Sequence, residues 1–169
     1  MDLRTTILAE HSKANCNRIV QWVGHSQERF NQLFNLFLNA EYRVNQRAAW
    51  PLSYCAINHP DFMSGNFSKL VKNLHRPGTH AAVKRNTLRL LRQIEVPKKF
   101  HGELMDLCFH YIESEDEPVA IKSFSLAILQ TLSLQYPDIK NEIRLIIEER
   151  WPYETAAFRS RAKNFLKTL

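Results

Sequence analysis

The sequence predicts an all-α protein, a right-handed α-α superhelix of about four two-helix repeats plus an N-terminal helical cap. Three observations lead to this prediction. Four acid-free amphipathic stretches recur along the 169 residues, a second amphipathic stretch precedes each of them, and proline follows the first three. Self-similarity with a period of roughly 20–50 residues is typical of solenoids, in which stacked neighbours bury one another's apolar faces.

The acid-free stretches contain 11 of the 23 Lys and Arg residues and none of the 17 Asp and Glu residues. They are Arg43–Asn58, His80–Ile94, Pro118–Gln135 and Thr155–Leu169. Their first aligned apolar residues, Val44, Val83, Val119 and Phe158, are 39, 36 and 39 residues apart. Apolar residues continue at helical spacing from each start. We call these four the inner helices.

A second amphipathic helix is expected before each inner helix, and we call these the outer helices. They are Glu28–Asn39, Phe67–Leu74, Gly102–Ile112 and Ile139–Arg150. Most acidic residues lie on them or just before an inner helix, as at Glu41 and Glu154. Negative charge at that position favours the positive end of the helix dipole, so part of the charge separation has a structural cause.

The N-terminal residues 1–26 form a shorter helical pair, Leu3–Glu10 and Lys13–Val23, which we interpret as an atypical cap on the stack. Ser12 is the expected N-cap of its second helix. We therefore predict one domain over residues 1–169, with repeats at 27–60, 61–97, 98–137 and 138–169. Pro51 lies inside the first inner helix and is expected to kink it, because proline cannot donate a backbone hydrogen bond.

Composition excludes several classes of protein. No apolar stretch approaches the roughly 20 residues of a membrane span, and the first residues do not resemble a signal peptide. Three cysteines without CxxC spacing, all in apolar segments, are expected to be buried thiols. We therefore expect a cytoplasmic protein with no membrane partner.

The openings of two inner helices, Val44–Ala49 and Val83–Leu88, resemble those of HEAT or armadillo repeats, as do the period and the two-helix unit. The resemblance covers roughly residues 28–169. It implies that the second helix of each repeat lines the concave surface, so bases on the inner helices would face a shared groove.

The whole chain also resembles a group of short bacterial HEAT-like proteins, some of which carry the label adenylosuccinate lyase. The lyase of that name is a far longer chain with a Gly/Ser-rich catalytic signature around Met-Pro, Lys and Asn. No segment of this sequence matches that signature. The resemblance therefore supplies no catalytic residue, and we expect no turnover of a purine nucleotide.

The candidate ligand-binding residues are the bases and two aromatics of the inner helices. They are Arg43, Arg47, Trp50, Tyr54, Lys84, Arg85, Arg89, Lys122, Arg159 and Arg161. A positive groove of this kind suits an acidic protein or peptide. Two plainer interpretations stay open: the bases are the solvated side of amphipathic helices, and the aromatics pack between helices.

Two functions compete at this point. The first is a non-enzymatic scaffold that binds an acidic or extended partner. The alternative is nucleic-acid binding, since some HEAT-like proteins are alkylpurine DNA glycosylases with a basic concave groove. Such an enzyme needs a carboxylate near the lesion, and only flanking ones such as Glu41, Glu95 and Glu154 are available.

Neither a metal site nor a bound cofactor is expected. The seven histidines do not fall at zinc-ligand spacing, and the sequence contains no P-loop, GxGxxG or GxSxG motif. Cys55 with His59, and Cys108 with His110, are close in sequence. Nucleophilic catalysis also needs an oriented base and an oxyanion site, which the sequence does not indicate.

Overall fold

The computed structural model describes residues 1–168. Within that range the protein is all-α, with ten α-helices, three short 3-10 helices and no strand. The chain forms two compact units, Met1–Glu95 and Val96–Leu169. The boundary lies close to the predicted limit between the second and third repeats. Leu169, the last residue of the fourth predicted inner helix, is outside the described residues.

The first unit contains six α-helices. They are α1 (Leu3–Ala9), α2 (Lys13–Val23), α3 (Gln27–Asn39), α4 (Tyr42–Asn58), α5 (Phe67–Leu74) and α6 (Ala81–Leu91), with a 3-10 helix at Pro60–Met63 before α5. Helix α4 is central and packs against α1, α2, α3 and α6. Its predicted apolar face, Val44, Ala48, Leu52 and Cys55, is buried. Burying a side chain such as that of Val44 or Leu52 stabilises the fold by about 1.5–3 kcal/mol.

Pro51 does not end α4, which continues to Asn58. The proline is itself buried, and the hydroxyl of Ser53 donates a 2.8 Å hydrogen bond to the carbonyl oxygen of Trp50. The helix therefore continues through Pro51, which lacks the backbone N–H that would otherwise donate to the carbonyl oxygen of Arg47.

The second unit contains four α-helices and two 3-10 helices. They are α7 (His101–Glu113), α8 (Val119–Leu132), α9 (Ile139–Arg150) and α10 (Ala156–Leu166), with 3-10 helices at Lys98–Phe100 and Trp151–Tyr153. Helix α8 packs against α7 and α10. Its sequence is apolar almost all round, and the structure correspondingly buries Ile121, Leu126, Ile128 and Leu129.

Local capping explains why the helices begin where they do. The side chain of Ser12 accepts a hydrogen bond from the backbone N–H of Asn15, which confirms the predicted N-cap of α2. Ser26 and Thr155 accept in the same way at the starts of α3 and α10. Each of these side chains satisfies one of the backbone donors that the first helical turn leaves without a partner.

Candidate binding groove

Seven of the ten sequence-predicted binding residues lie in the first unit, on two helices that pack together. Helix α4 carries Arg43, Arg47, Trp50 and Tyr54, and α6 carries Lys84, Arg85 and Arg89. The guanidinium of Arg89 lies over the Tyr54 ring, with its Cζ 5.6 Å from the ring centroid. This cation–π contact joins the basic stripe of α6 to the aromatic stripe of α4.

Several members of this predicted face have structural contacts. Arg47 Nη1 donates a 2.8 Å hydrogen bond to the carbonyl oxygen of Leu8, near the end of α1. The Trp50 ring makes an edge contact with His11, and its Nε1 is buried. Arg89 is half-buried, and one of its guanidinium nitrogens is shielded from solvent. These three side chains therefore make structural contacts within the first unit.

Arg43 and Arg85 are the exposed members of the predicted face in the first unit. Within residues 1–168 neither guanidinium takes part in an ion pair. Both side chains are therefore available to an acidic ligand.

Lys122, on α8, requires a correction, because we expected it to face a ligand. Its ammonium group is buried and lies 2.5 Å from Glu154 Oε1. An ammonium group in that position neutralises an internal carboxylate and is not presented to solvent. The other two predicted residues of the second unit lie on α10: Arg159 donates to the Glu154 carbonyl oxygen at 3.0 Å, and Arg161 is half-buried.

The first unit also contains a groove that sequence reasoning did not identify. One of its walls is α3, and the other is α5 with the turn that precedes it. The volume of the groove is about 810 Å³. The lining residues are Gln27, Asn31, Phe34, Asn35, Leu38, Asn39, Ser64, Gly65, Asn66, Lys69, Lys72 and Arg76. None of them is acidic. We call this feature the α3–α5 groove.

One wall of the groove is a row of side-chain amides on α3. Gln27, Asn31, Asn35 and Asn39 follow one another at intervals of four residues, so they form one inclined stripe along the helix. Gln27 Nε2 donates to Asn31 Oδ1 at 2.9 Å, and Asn39 Nδ2 donates to Asn35 Oδ1 at 2.8 Å. The Nδ2 groups of the two central residues, Asn31 and Asn35, are thereby left as donors for a ligand.

The opposite wall is cationic. Lys69 and Lys72 lie on α5 and Arg76 follows it, and all three side chains are exposed. Within residues 1–168, neither lysine forms an ion pair. The nearby carboxylates of Glu28 and Asp61 do not line the groove. The wall therefore presents three positive charges that no lining carboxylate offsets.

Two hydrogen bonds bridge the walls at opposite ends of the groove. Gln27 Nε2 donates to the Phe62 carbonyl oxygen at 3.3 Å, and Arg76 Nη1 donates to the Leu38 carbonyl oxygen at 2.6 Å. The start of α3 is thus tied to the segment before α5, and the end of α3 to the segment after α5. The two helices consequently run parallel, with the groove between them.

The sequence contains two regularly spaced polar stripes that correspond to the two walls of this groove. The cations at 69, 72 and 76 fall at i, i+3, i+7, and the segment Phe67–Arg76 contains no acid. The amides of α3 fall at i, i+4, i+8, i+12. Both stripes lie on outer helices. Nothing in the sequence of either stripe indicates that the two helices face each other.

The residues described give no support to metal or thiol chemistry. Over residues 1–168, no three His, Cys, Asp or Glu side chains are grouped closely enough to hold a metal ion. All three cysteines are free and buried. Burial raises the pKa of Cys55 and of Cys108 to about 12, and that of Cys16 to about 11. A thiol with so high a pKa is a poor nucleophile at neutral pH.

No described helix is long and apolar enough to span a bilayer.

A family model described as a HEAT repeat domain matches residues 3–169. Searches of curated proteins and of solved structures found no match.

Proposed function

Because this chain belongs to the HEAT repeat family, we propose that it is a non-enzymatic interaction module that holds an acidic segment of a partner protein in the α3–α5 groove. HEAT repeats generally mediate protein interactions. The observation that carries the acidic specificity is the groove's lining. Lys69, Lys72 and Arg76 stand along one wall, and none of the lining residues is a carboxylate.

The groove is large enough to receive part of a ligand. Its volume of about 810 Å³ falls in the range of roughly 300–1,000 Å³ that is typical of small-molecule and cofactor sites. Electrostatic complementarity of this kind accelerates encounter and selects against basic partners. Arg43 and Arg85, the exposed bases of α4 and α6, add positive charge to the same unit and form a secondary part of the proposal.

Nucleic acid is the alternative ligand, because the same cations could contact phosphates. Proteins that hold single strands usually stack bases on exposed aromatic rings. Phe34 is the one aromatic residue among those that line the groove, and it is only 4% exposed. Base-excision chemistry also lacks a carboxylate in the groove, and Glu154 is buried against Lys122. These observations favour a peptide.

A direct binding experiment tests the proposal. Fluorescence anisotropy would measure the affinity of the protein for labelled poly-L-glutamate and for a single-stranded oligonucleotide of equal charge. We expect tighter binding of the peptide, and a loss of about tenfold or more when Lys69→Glu and Lys72→Glu are combined. The matched control is Lys98→Glu with Lys99→Glu, an exposed pair outside the groove.

Three results would count against the proposal. Equal losses in the two double variants would mean that net charge alone attracts the peptide. Preference for the oligonucleotide, with affinity that falls steeply between about 50 and 200 mM salt, would assign the groove to phosphate binding. No measurable binding of the peptide by the parent protein at low salt would remove the acidic partner altogether.

A further inference from the structure

The amide stripe of α3 contributes nothing to charge complementarity, so it calls for a separate explanation. Four exposed amides, Gln27, Asn31, Asn35 and Asn39, line the groove in succession. An exposed polar helix face in a soluble protein more often carries charged side chains. Side-chain amides are instead suited to hydrogen bonding with the peptide backbone, since each offers both a donor and an acceptor.

From this stripe we infer that the partner segment binds in an extended conformation, with its backbone hydrogen-bonded to the amides of α3. This inference rests on the proposed function and specifies the form of the ligand. Charge alone would accept an acidic helix or a flexible chain. A row of amides adds a requirement for backbone groups that are not already hydrogen-bonded to one another.

The spacing of the stripe supports an extended ligand. Successive amides four residues apart on a helix are separated by about 6 Å along its axis. In an extended chain, backbone groups that face the same edge repeat every two residues, or about 6.6–6.8 Å. The difference is below about 1 Å for one step, so the central pair Asn31 and Asn35 can engage adjacent sites on one edge. A helical ligand has its backbone donors and acceptors paired internally and offers no such row.

The other lining residues specify the ligand's side chains. In an extended segment, successive side chains point to opposite faces. Phe34 is buried and Leu38 half-buried, so together they form the apolar inner part of the groove, while Lys69 and Lys72 are exposed at its mouth. A segment in which acidic residues alternate with small apolar residues places its carboxylates toward the cations and its apolar side chains toward Phe34.

Removal of backbone carbonyl acceptors separates this inference from the charge-based proposal, because Asn31 and Asn35 offer Nδ2 donors. The probe is a blocked eight-residue peptide of alternating Glu and Val, compared with two analogues in which the peptide bond after every Glu, or after every Val, is replaced by a trans C=C isostere. The isostere removes the carbonyl acceptors on one edge of the extended chain and leaves the charge unchanged. We expect one of the two analogues to bind about tenfold more weakly, which corresponds to about 1.4 kcal/mol.

Protein variants provide the second arm. Combining Asn31→Leu and Asn35→Leu keeps the side-chain shape and removes the donors, and we expect about a tenfold loss for the unmodified peptide. The weaker alkene analogue should lose little further. Gln32→Leu, an exposed amide of α3 outside the groove, is the matched control and should bind like the parent. Circular dichroism would verify that all variants fold.

Each outcome is decisive. If both analogues and the Asn31/Asn35 variant bind like their parents while Lys69→Glu with Lys72→Glu abolishes binding, the extended-backbone inference fails and the acidic-partner proposal stands. If the unmodified peptide does not bind the parent protein, both fail. Loss of affinity in one analogue and in the Asn31/Asn35 variant, but not in Gln32→Leu, supports both.

Discussion

The Nζ atom of Lys122 lies 2.5 Å from Oε1 of Glu154, and both side chains are only 4% exposed. This ion pair links α8 to the segment that precedes α10. Arg150 Nε lies 3.6 Å from the same carboxylate oxygen, and its Nη1 pairs with Glu115 at 3.0 Å. Glu115, through this hydrogen bond, raises the pKa of the Arg150 guanidinium. Glu154 is therefore the internal carboxylate that two cations of the second unit share.

Breaking this pair should destabilise the protein strongly. Glu154→Gln leaves the Lys122 ammonium buried without a counter-ion, and we expect a loss of about 3–5 kcal/mol in the free energy of unfolding. Lys122→Met should cost less, because Arg150 still faces the Glu154 carboxylate. Combining Lys122→Met with Glu154→Leu removes both charges and should recover much of the loss. Urea unfolding followed by circular dichroism measures all three.

The exposed pair Arg144 and Glu148 is the matched control for this experiment. Its side chains are 41% and 54% exposed, and Arg144→Ala should change stability by less than about 0.5 kcal/mol. If Glu154→Gln proved as mild as Arg144→Ala, the carboxylate would have to be solvated, contrary to the structure.

Arg89 and Arg85 share helix α6 but should respond differently to truncation. Arg89 lies over Tyr54 and is half-buried, whereas Arg85 is exposed. We expect Arg89→Ala to cost about 1–2 kcal/mol of stability, since it removes the cation–π contact and the packing of the side-chain stem. Arg85→Ala should stay within about 0.5 kcal/mol. Thermal or urea unfolding of the two variants, side by side, provides the measurement.

The comparison separates a structural base from one available to ligands. If the two variants lost equal stability, Arg89 would contribute no more to the fold than a solvated side chain does. The contact between Arg89 and Tyr54 would then contribute nothing measurable to the free energy of unfolding. Arg89 would return to the set of ligand-binding candidates.

The buried thiols predict a loss of stability at alkaline pH. Burial raises the pKa of Cys16 to about 11 and that of Cys55 to about 12, from the ordinary thiol value of 9.0. Above about pH 9 the unfolded chain releases thiol protons that the native protein retains, so unfolding becomes more favourable as pH rises. Between that value and the raised pKa, each thiol contributes a slope of about 1.4 kcal/mol per pH unit.

Urea midpoints at pH 8 and pH 10.5 would measure this effect. Lysine and tyrosine also titrate in this window, so the control is a variant with Cys16→Ala, Cys55→Ala and Cys108→Ala. Its stability should fall less steeply with pH than that of the parent. Identical slopes in parent and variant would show that the native thiols titrate like those of the unfolded chain.

Local chemistry explains why so much of the fold was predictable. The starts of helices follow from caps such as Ser12, whose partner Asn15 is three residues away. The buried face of α4 follows from apolar residues at helical spacing, and the burial of α8 follows from the lack of a polar side. Each of these signals lies within a single helix, so composition and periodicity suffice to detect it.

The position of Lys122 was not predictable in the same way. Its charge placed it among the solvent-facing bases, but the carboxylate that neutralises it is 32 residues away in the chain. Burial of a lysine depends on whether such a partner is within reach, and helical periodicity does not report on distant partners.

Residue patterns within single helices are enough to place the helices, to identify the apolar side of each, and to show that the acidic residues avoid the four inner helices. Which polar sides meet depends on the tertiary packing. The amides of α3 and the cations of α5 face each other because Gln27 and Arg76 tie the two helices side by side. The hydrophobic effect specifies which residues leave water, but it is non-directional, and only the packed arrangement brings two hydrophilic faces together into a groove.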